Sequence, residues 1–209
     1  SRNANPDFIF NVMSHYVSPK TKLVLNADDL ISCRLAPQDA NRVYYSIGRL
    51  ADDTAEPQGI VCDLTACPVC GGKLEYDYCH LRHLGHATCK SCGFTNPEPD
   101  YELTALDREA HTFTVCERSH EGAPTHTYRY GNYSITNLYN LFSTVVVARE
   151  LGLSAETIGA SLERGINVTA LRYTEEEADG KRLVAVASKG ENSTATSVAL
   201  DTIRKEPGS

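Results

Sequence analysis

The sequence predicts an α/β fold interrupted by a small metal-clamped all-β ribbon, and three observations carry that prediction. Short apolar or β-branched runs come first and segments of helical period follow them. A turn-rich stretch, poor in apolar mass, divides the early runs from the later ones and contains two Cys-x2-Cys pairs. At 209 residues the chain suits one domain, or one and a fraction, with enough length for a buried core. Apolar residues make up 41% and charged residues 22%, an ordinary globular composition.

Taken in order, Lys22-Leu23-Val24-Leu25 reads as a buried strand that stops at the polar Asn26-Ala27-Asp28-Asp29. Arg42 to Ile47, β-branched and aromatic, reads as a second strand closed by Gly48. Residues 60–104 read as the insertion, with Asn96-Pro97-Glu98-Pro99 as its exit turn. Thr112 to Cys116 and Thr125 to Tyr130 alternate, with Gly122 and Pro124 between them, and predict a hairpin. Leu138, Leu141, Phe142, Val145, Val146 and Leu151 then recur at helical spacing from Thr136 to Leu151, ending at Gly152. Ser154 starts a second helix, with Glu156 in its first turn and Ile158 and Leu162 on one face, ending at Gly165. Leu171–Thr174 and Arg182–Ala187 read as strands joined by a turn at Gly180, and Ser193–Arg204 as a closing helix.

The cysteines carry the most specific signal. Cys67-Pro68-Val69-Cys70 and Cys89-Lys90-Ser91-Cys92 are separated by eighteen residues, and glycine follows each pair. Two thiolates on a tight turn reach one ion, and two such turns complete a tetrahedron with sulfur at about 2.3 Å from zinc. Four sulfurs leave no position for water, so Cys67, Cys70, Cys89 and Cys92 predict a structural Zn2+ site and not a catalytic one. His80, His83 and His86 lie between the pairs but are not needed as ligands, and Cys33, Cys62 and Cys116 read as small core or half-buried thiols. Reduced thiols and a metal site point to a cytoplasmic protein. The run Val145-Val146-Val147-Ala148 falls far short of the ~20 residues that span a bilayer, so no transmembrane segment is expected. A formal charge of −7 speaks against a main role on phosphate backbones.

Several motifs, in order, resemble the Mur ligase family. Leu25-Asn26-Ala27-Asp28-Asp29 resembles the Asn-Ala-Asp-Asp turn of its central domain. Asn137-Leu138-Tyr139-Asn140, opening an apolar helix, resembles its Asn-x-x-Asn helix. Arg172 matches the arginine where the central domain meets the C-terminal one. The four-cysteine ribbon, with His83-Leu84-Gly85-His86 before its second pair and Asp100-Tyr101 after it, is similar to that of the MurT-type branch. The resemblance divides the chain into 1–165, part of the central ATP-binding domain with the ribbon at 60–104 inserted, and 166–209, the start of a C-terminal domain.

The resemblance implies an ATP- and Mg2+-dependent carbon–nitrogen ligase that activates a carboxylate as an acyl phosphate and admits an amine. In this branch the carboxylate belongs to the D-glutamate of lipid II. Ammonia from a GatD-type glutamine amidotransferase partner makes D-isoglutamine for peptidoglycan. Asn137 and Asn140, three apart, share a helix face and could pair with the edge of adenine, or act as a helix-capping pair. Arg172 would sit near the nucleotide phosphates or be a surface charge. Asn26 and Asp28, at a strand end, could face the nucleotide crevice or form an Asx turn.

The departures are specific. No G-x-x-x-x-G-K-[ST] loop occurs in the chain, and Glu191-Asn192-Ser193-Thr194-Ala195 stands where the family has Lys-Asn-Pro-x-Gly. The chain is therefore expected to be a fragment or a degenerate form that does not turn over ATP unaided, with no catalytic residue assigned. The alternative is a zinc-ribbon module that binds nucleic acid or protein without enzymatic activity. Its nucleic-acid form lacks a basic stripe, because Lys73, Arg82 and Lys90 are offset by Glu75, Asp77, Glu98, Asp100 and Glu102.

Overall fold

The computed structural model describes residues 6–36, 41–57, 64, 66–80, 84–131, 138–165 and 173–186. The chain opens with α1 (Pro6–Tyr16), which the sequence analysis did not assign. β1 (Leu23–Asn26) and β2 (Arg42–Ile47) follow, with a 3-10 turn at Ser32–Arg34 between them. β3 (Leu74–His80) and β4 (Leu84–Cys89) form a separate two-stranded antiparallel sheet. β5 (Tyr101–Asp107), β6 (Thr112–Glu117) and β7 (Thr125–Arg129) complete the main sheet, whose order is β1-β2-β5-β6-β7. Then come the helices α2 (Leu138–Glu150) and α3 (Ala155–Glu163) and a hairpin of β8 (Tyr173–Ala178) and β9 (Lys181–Val186).

The main sheet is parallel at one end and antiparallel at the other. β1, β2 and β5 run parallel; β5, β6 and β7 run antiparallel. The expected strand at 42–47 and the expected hairpin both form. Tyr45, Ser46 and Ile47 pair with Tyr101, Glu102 and Leu103, so residues 101–104 belong to the main sheet.

One face of that sheet makes the core. Tyr45, Ile47, Tyr101, Leu103, Phe113, Val115 and Tyr128 are all buried and pack with Leu138, Leu141, Phe142, Val145 and Val146 of α2 and with Ile158 and Leu162 of α3. The alternation of β6, every second residue buried, is what a sheet with one covered face requires. Phe142 is fully buried and meets Tyr45 edge-to-face at 5.3 Å between centroids. The helix signals read from sequence are realised. Gly152 ends the first helix in a left-handed conformation, φ 87°, and the Ser154 side chain accepts the Thr157 amide at 3.2 Å to cap the second.

A buried ion pair ties α2 to β6. Glu117 is 1% exposed, and Arg149 grips it with two bonds, Nε to Oε1 at 2.6 Å and Nη2 to Oε2 at 2.9 Å. Desolvation opposes the Glu117 charge, yet this guanidinium holds its carboxyl below the usual range. In the final hairpin, Asp179 (φ 53°) and Gly180 (φ 70°) form a two-residue turn, so the first strand extends to Ala178, beyond the expected Thr174. The closing helix expected at 193–204 lies outside the described residues.

Candidate functional site

The small sheet of β3 and β4 brings the two cysteine pairs together. Each pair is a tight turn of the same design. In the first, the Cys67 amide donates to the Gly72 carbonyl at 2.8 Å and the Gly71 amide to the Cys67 carbonyl at 2.8 Å; in the second, Cys89 donates to Phe94 at 2.8 Å and Gly93 to Cys89 at 2.9 Å. Gly71 and Gly93 both have φ 73°, a conformation that glycine adopts without a steric penalty. These turns aim amides at sulfur, Val69 N–H to Cys67 Sγ and Gly72 N–H to Cys70 Sγ, both at 3.4 Å.

The four sulfurs lie within 4.8 Å of one another, with Cys67–Cys92 at 3.7 Å and Cys70–Cys89 at 3.5 Å. A tetrahedron with sulfur about 2.3 Å from its centre has edges of about 3.8 Å, so the residues fit a tetrahedral metal ion. At Cys89 desolvation opposes charge, but the amides of Cys92 and Ser91 and the neighbouring thiols bring its pKa down to about 6. Two of the three histidines between the pairs are engaged elsewhere. His80 lies between Asp53 and Ile47, and His86 Nδ1 is 2.6 Å from Asp77. His83 and Cys62 lie outside the described residues.

Two polar side chains, missed in the sequence, join this sheet to the main one. Asn96, buried at 7% exposure, accepts the Ala87 amide at 2.7 Å and donates to Ala27 O at 2.7 Å and Gly85 O at 2.9 Å. His80, 2% exposed, reaches Ile47 O through Nε2 at 2.7 Å and Asp53 through Nδ1 at 2.7 Å. In sequence, Asn96 stands in an Asn-Pro turn and His80 in a histidine-rich run, and neither context signals a staple.

At the carboxyl end of β1 the expected site residues are held tightly. Asn26 Oδ1 accepts the Asp28 amide at 3.0 Å, and Asp29 Oδ1 accepts the Ile31 amide at 2.9 Å, which are Asx turns. Asp28 Oδ2 accepts both the Ile47 amide and the Tyr139 hydroxyl at 2.8 Å. Burial lifts the Asp28 carboxyl to about 6, although the Ile47 amide, His80 and Tyr139 each pull it down. Through Tyr139 this contact docks the first turn of α2 at the strand end, which brings the exposed Asn140 to the same end of the sheet. Asn137 and Arg172 lie outside the described residues.

Comparison with known proteins shows what the chain is similar to. The chain is 32% identical over 158 residues to the lipid II isoglutaminyl synthase subunit MurT of Staphylococcus aureus, a match covering 75% of the chain and 34% of that protein. This chain is a relative of the MurT-type Mur ligases. A second MurT, from Streptococcus pneumoniae, is 26% identical over 146 residues, 70% of the chain and 31% of that protein. The fold is similar to that of a pseudomurein peptide ligase type C from Methanothermus fervidus, with a TM-score of 0.66 and 25% identity over 90% of this chain and 35% of that one. The chain thus spans about a third of the length of the MurT proteins it matches. No family model matches it. Among the described residues, no helix is long and apolar enough to cross a membrane.

Proposed function

We propose that the chain is part of an ATP-dependent amide ligase that amidates the D-glutamate of lipid II to D-isoglutamine, with ammonia from a GatD-type glutamine amidotransferase. The observation that carries this reading is the 32% identity to MurT over three quarters of the chain. The likeness to a peptide ligase fold supports it.

Cys67, Cys70, Cys89 and Cys92 would hold the metal, and an all-sulfur tetrahedron favours zinc in a structural role. ATP with Mg2+, when bound, would supply the phosphoryl group that activates the carboxylate. Asn140, exposed in the first turn of α2, has a side-chain amide free to meet the adenine edge, and Asn137 stands one turn before it in sequence. Asn26 and Asp28 would contribute by fixing the strand end beside that helix, with Arg172 nearer the phosphates. The cytoplasm is where such thiols stay reduced.

The test is reconstitution. The native-length protein, mixed with the amidotransferase subunit, lipid II, glutamine and ATP, should convert the glutamate to its amide, read by mass spectrometry. The 209-residue chain alone should hydrolyse no ATP. Amidation absent from the complete mixture, or ATPase activity in the chain alone, contradicts this reading.

A further inference from the structure

Three arginines of this chain present the same edge of the guanidinium, and two of those edges are filled. Arg149 uses Nε and Nη2 on Glu117, and Arg118 uses Nε and Nη2 on Glu102. In Arg42 the same two atoms, Nε and Nη2, are buried and have no hydrogen-bond partner. Such an edge offers two parallel N–H donors spaced for a carboxylate. Two donors withdrawn from water and left unpaired are costly, and native proteins rarely keep such groups without a use.

The surroundings of Arg42 are those of a binding pocket. Arg42 lines a cavity of about 280 Å³ on the face of the sheet opposite α2 and α3, together with Arg34, Tyr44, Phe10, Phe94 and Pro97. Arg34 adds a second positive charge. Its Nη1 is anchored on Pro68 O at 3.0 Å and its guanidinium carbon lies 5.2 Å from the centroid of the Phe10 ring. Among the described residues neither arginine has an ion-pair partner. Two nearby carboxylates are engaged with backbone amides, Asp100 with Tyr44 N–H and Asp29 with Ile31 N–H. The cavity volume falls just below the range of small-molecule pockets, and its other walls are mostly aromatic or proline, with Cys33 and Thr95 completing them.

We propose that this cavity binds a small organic carboxylate with a compact, flat apolar body. The carboxylate takes the Nε/Nη2 edge of Arg42, Arg34 adds long-range attraction, and the apolar part packs against Phe10, Phe94 and Pro97. Inorganic phosphate shares the oxyanion chemistry but has nothing to offer those walls.

Titration of the full 209-residue, metal-loaded chain with benzoate and, separately, with phosphate tests the proposal by calorimetry and by the NMR signal of the Arg42 Nε–H group. Benzoate should bind saturably, one per chain, shift that signal and raise the unfolding temperature with concentration. Arg42→Met should weaken benzoate at least tenfold while leaving the free protein at least as stable as before, because an unpaired buried charge is removed. Arg42→Lys, which keeps the charge but loses the fork, should also bind more weakly than the wild type. Failure of benzoate to saturate or to move the Arg42 signal of the wild type, equal or tighter binding of phosphate, or unchanged affinity in Arg42→Met would each overturn it. The signal on the wild-type protein decides the question even if a variant fails to fold.

Discussion

The main sheet and the cysteine-bearing sheet are held together by different physics. The main sheet buries a continuous set of aromatic and aliphatic side chains under α2 and α3. The small sheet buries a few residues, Leu30, Cys67, Leu74, Ala87 and Cys89, two of which are themselves candidate metal ligands. A core that small cannot offset the backbone entropy of two strands and two turns. The staples at Asn96 and His80, together with the metal we propose for the four cysteines, would take the place of apolar mass. The lesson is that the two regions should fail separately, each under the insult that attacks its own support.

The sharpest break is expected in the small sheet. Cys89→Ser removes one of four thiolates from a site type whose binding free energy is of order 10 kcal/mol, so β3 and β4 should lose amide protection while β2, β5, β6 and β7 keep theirs. Hydrogen exchange followed by NMR checks this. The opposite failure comes from the core. Phe142→Ala should cost about 3–5 kcal/mol of global stability in denaturant unfolding while the metal content is unchanged. Arg149→Met should cost a similar amount, about 3–5 kcal/mol, because it leaves the buried Glu117 carboxylate without its fork.

A smaller effect distinguishes the strand end where the two regions meet. The Asp28 carboxyl is raised from 3.8 to about 6 in the folded protein, so its protonated form favours folding. That contribution is full below about pH 4 and is lost as pH rises through 6. At its limit it amounts to about 3 kcal/mol, at 1.36 kcal/mol per pKa unit. The difference in stability between wild type and Asp28→Asn, measured from pH 4 to 7, should show that slope; parallel curves would refute it. The smallest change is Asn96→Ala, which leaves an amide and two carbonyls unpaired. It should cost about 2 kcal/mol, read as faster exchange in β4 and at Ala27 with the main sheet unaffected.

Much of the main sheet was legible because its signals are local. Alternation gave β2, β6 and β7, and Gly152 with Ser154 marked the boundary between the two helices. The cysteine spacing alone was enough to bring four sulfurs to one point. β5 carries a weak sequence signal, because only Tyr101 and Leu103 alternate inward before the register shifts between Leu103 and Ala105, and a proline-rich turn precedes it. α1 escaped notice for another reason. Phe8, Ile9, Val12, Met13 and Tyr16 are exposed, so its apolar residues serve no core from which a helix could have been argued. The Arg42 cavity collects side chains from residue 10 to residue 97. No window along the chain contains it. Asn26 and Asp28 stood between two roles, and their Asx turn and buried hydrogen bonds are now visible, while Asn137 and Arg172 lie outside the described residues.

Elemental analysis of the purified chain, combined with exchange protection before and after a chelator, tests the central claim most directly. The account predicts one zinc per chain and, once it is removed, loss of protection across residues 66–80 and 84–95 with the five-stranded sheet intact. A metal-free protein whose two cysteine turns remain protected would contradict it.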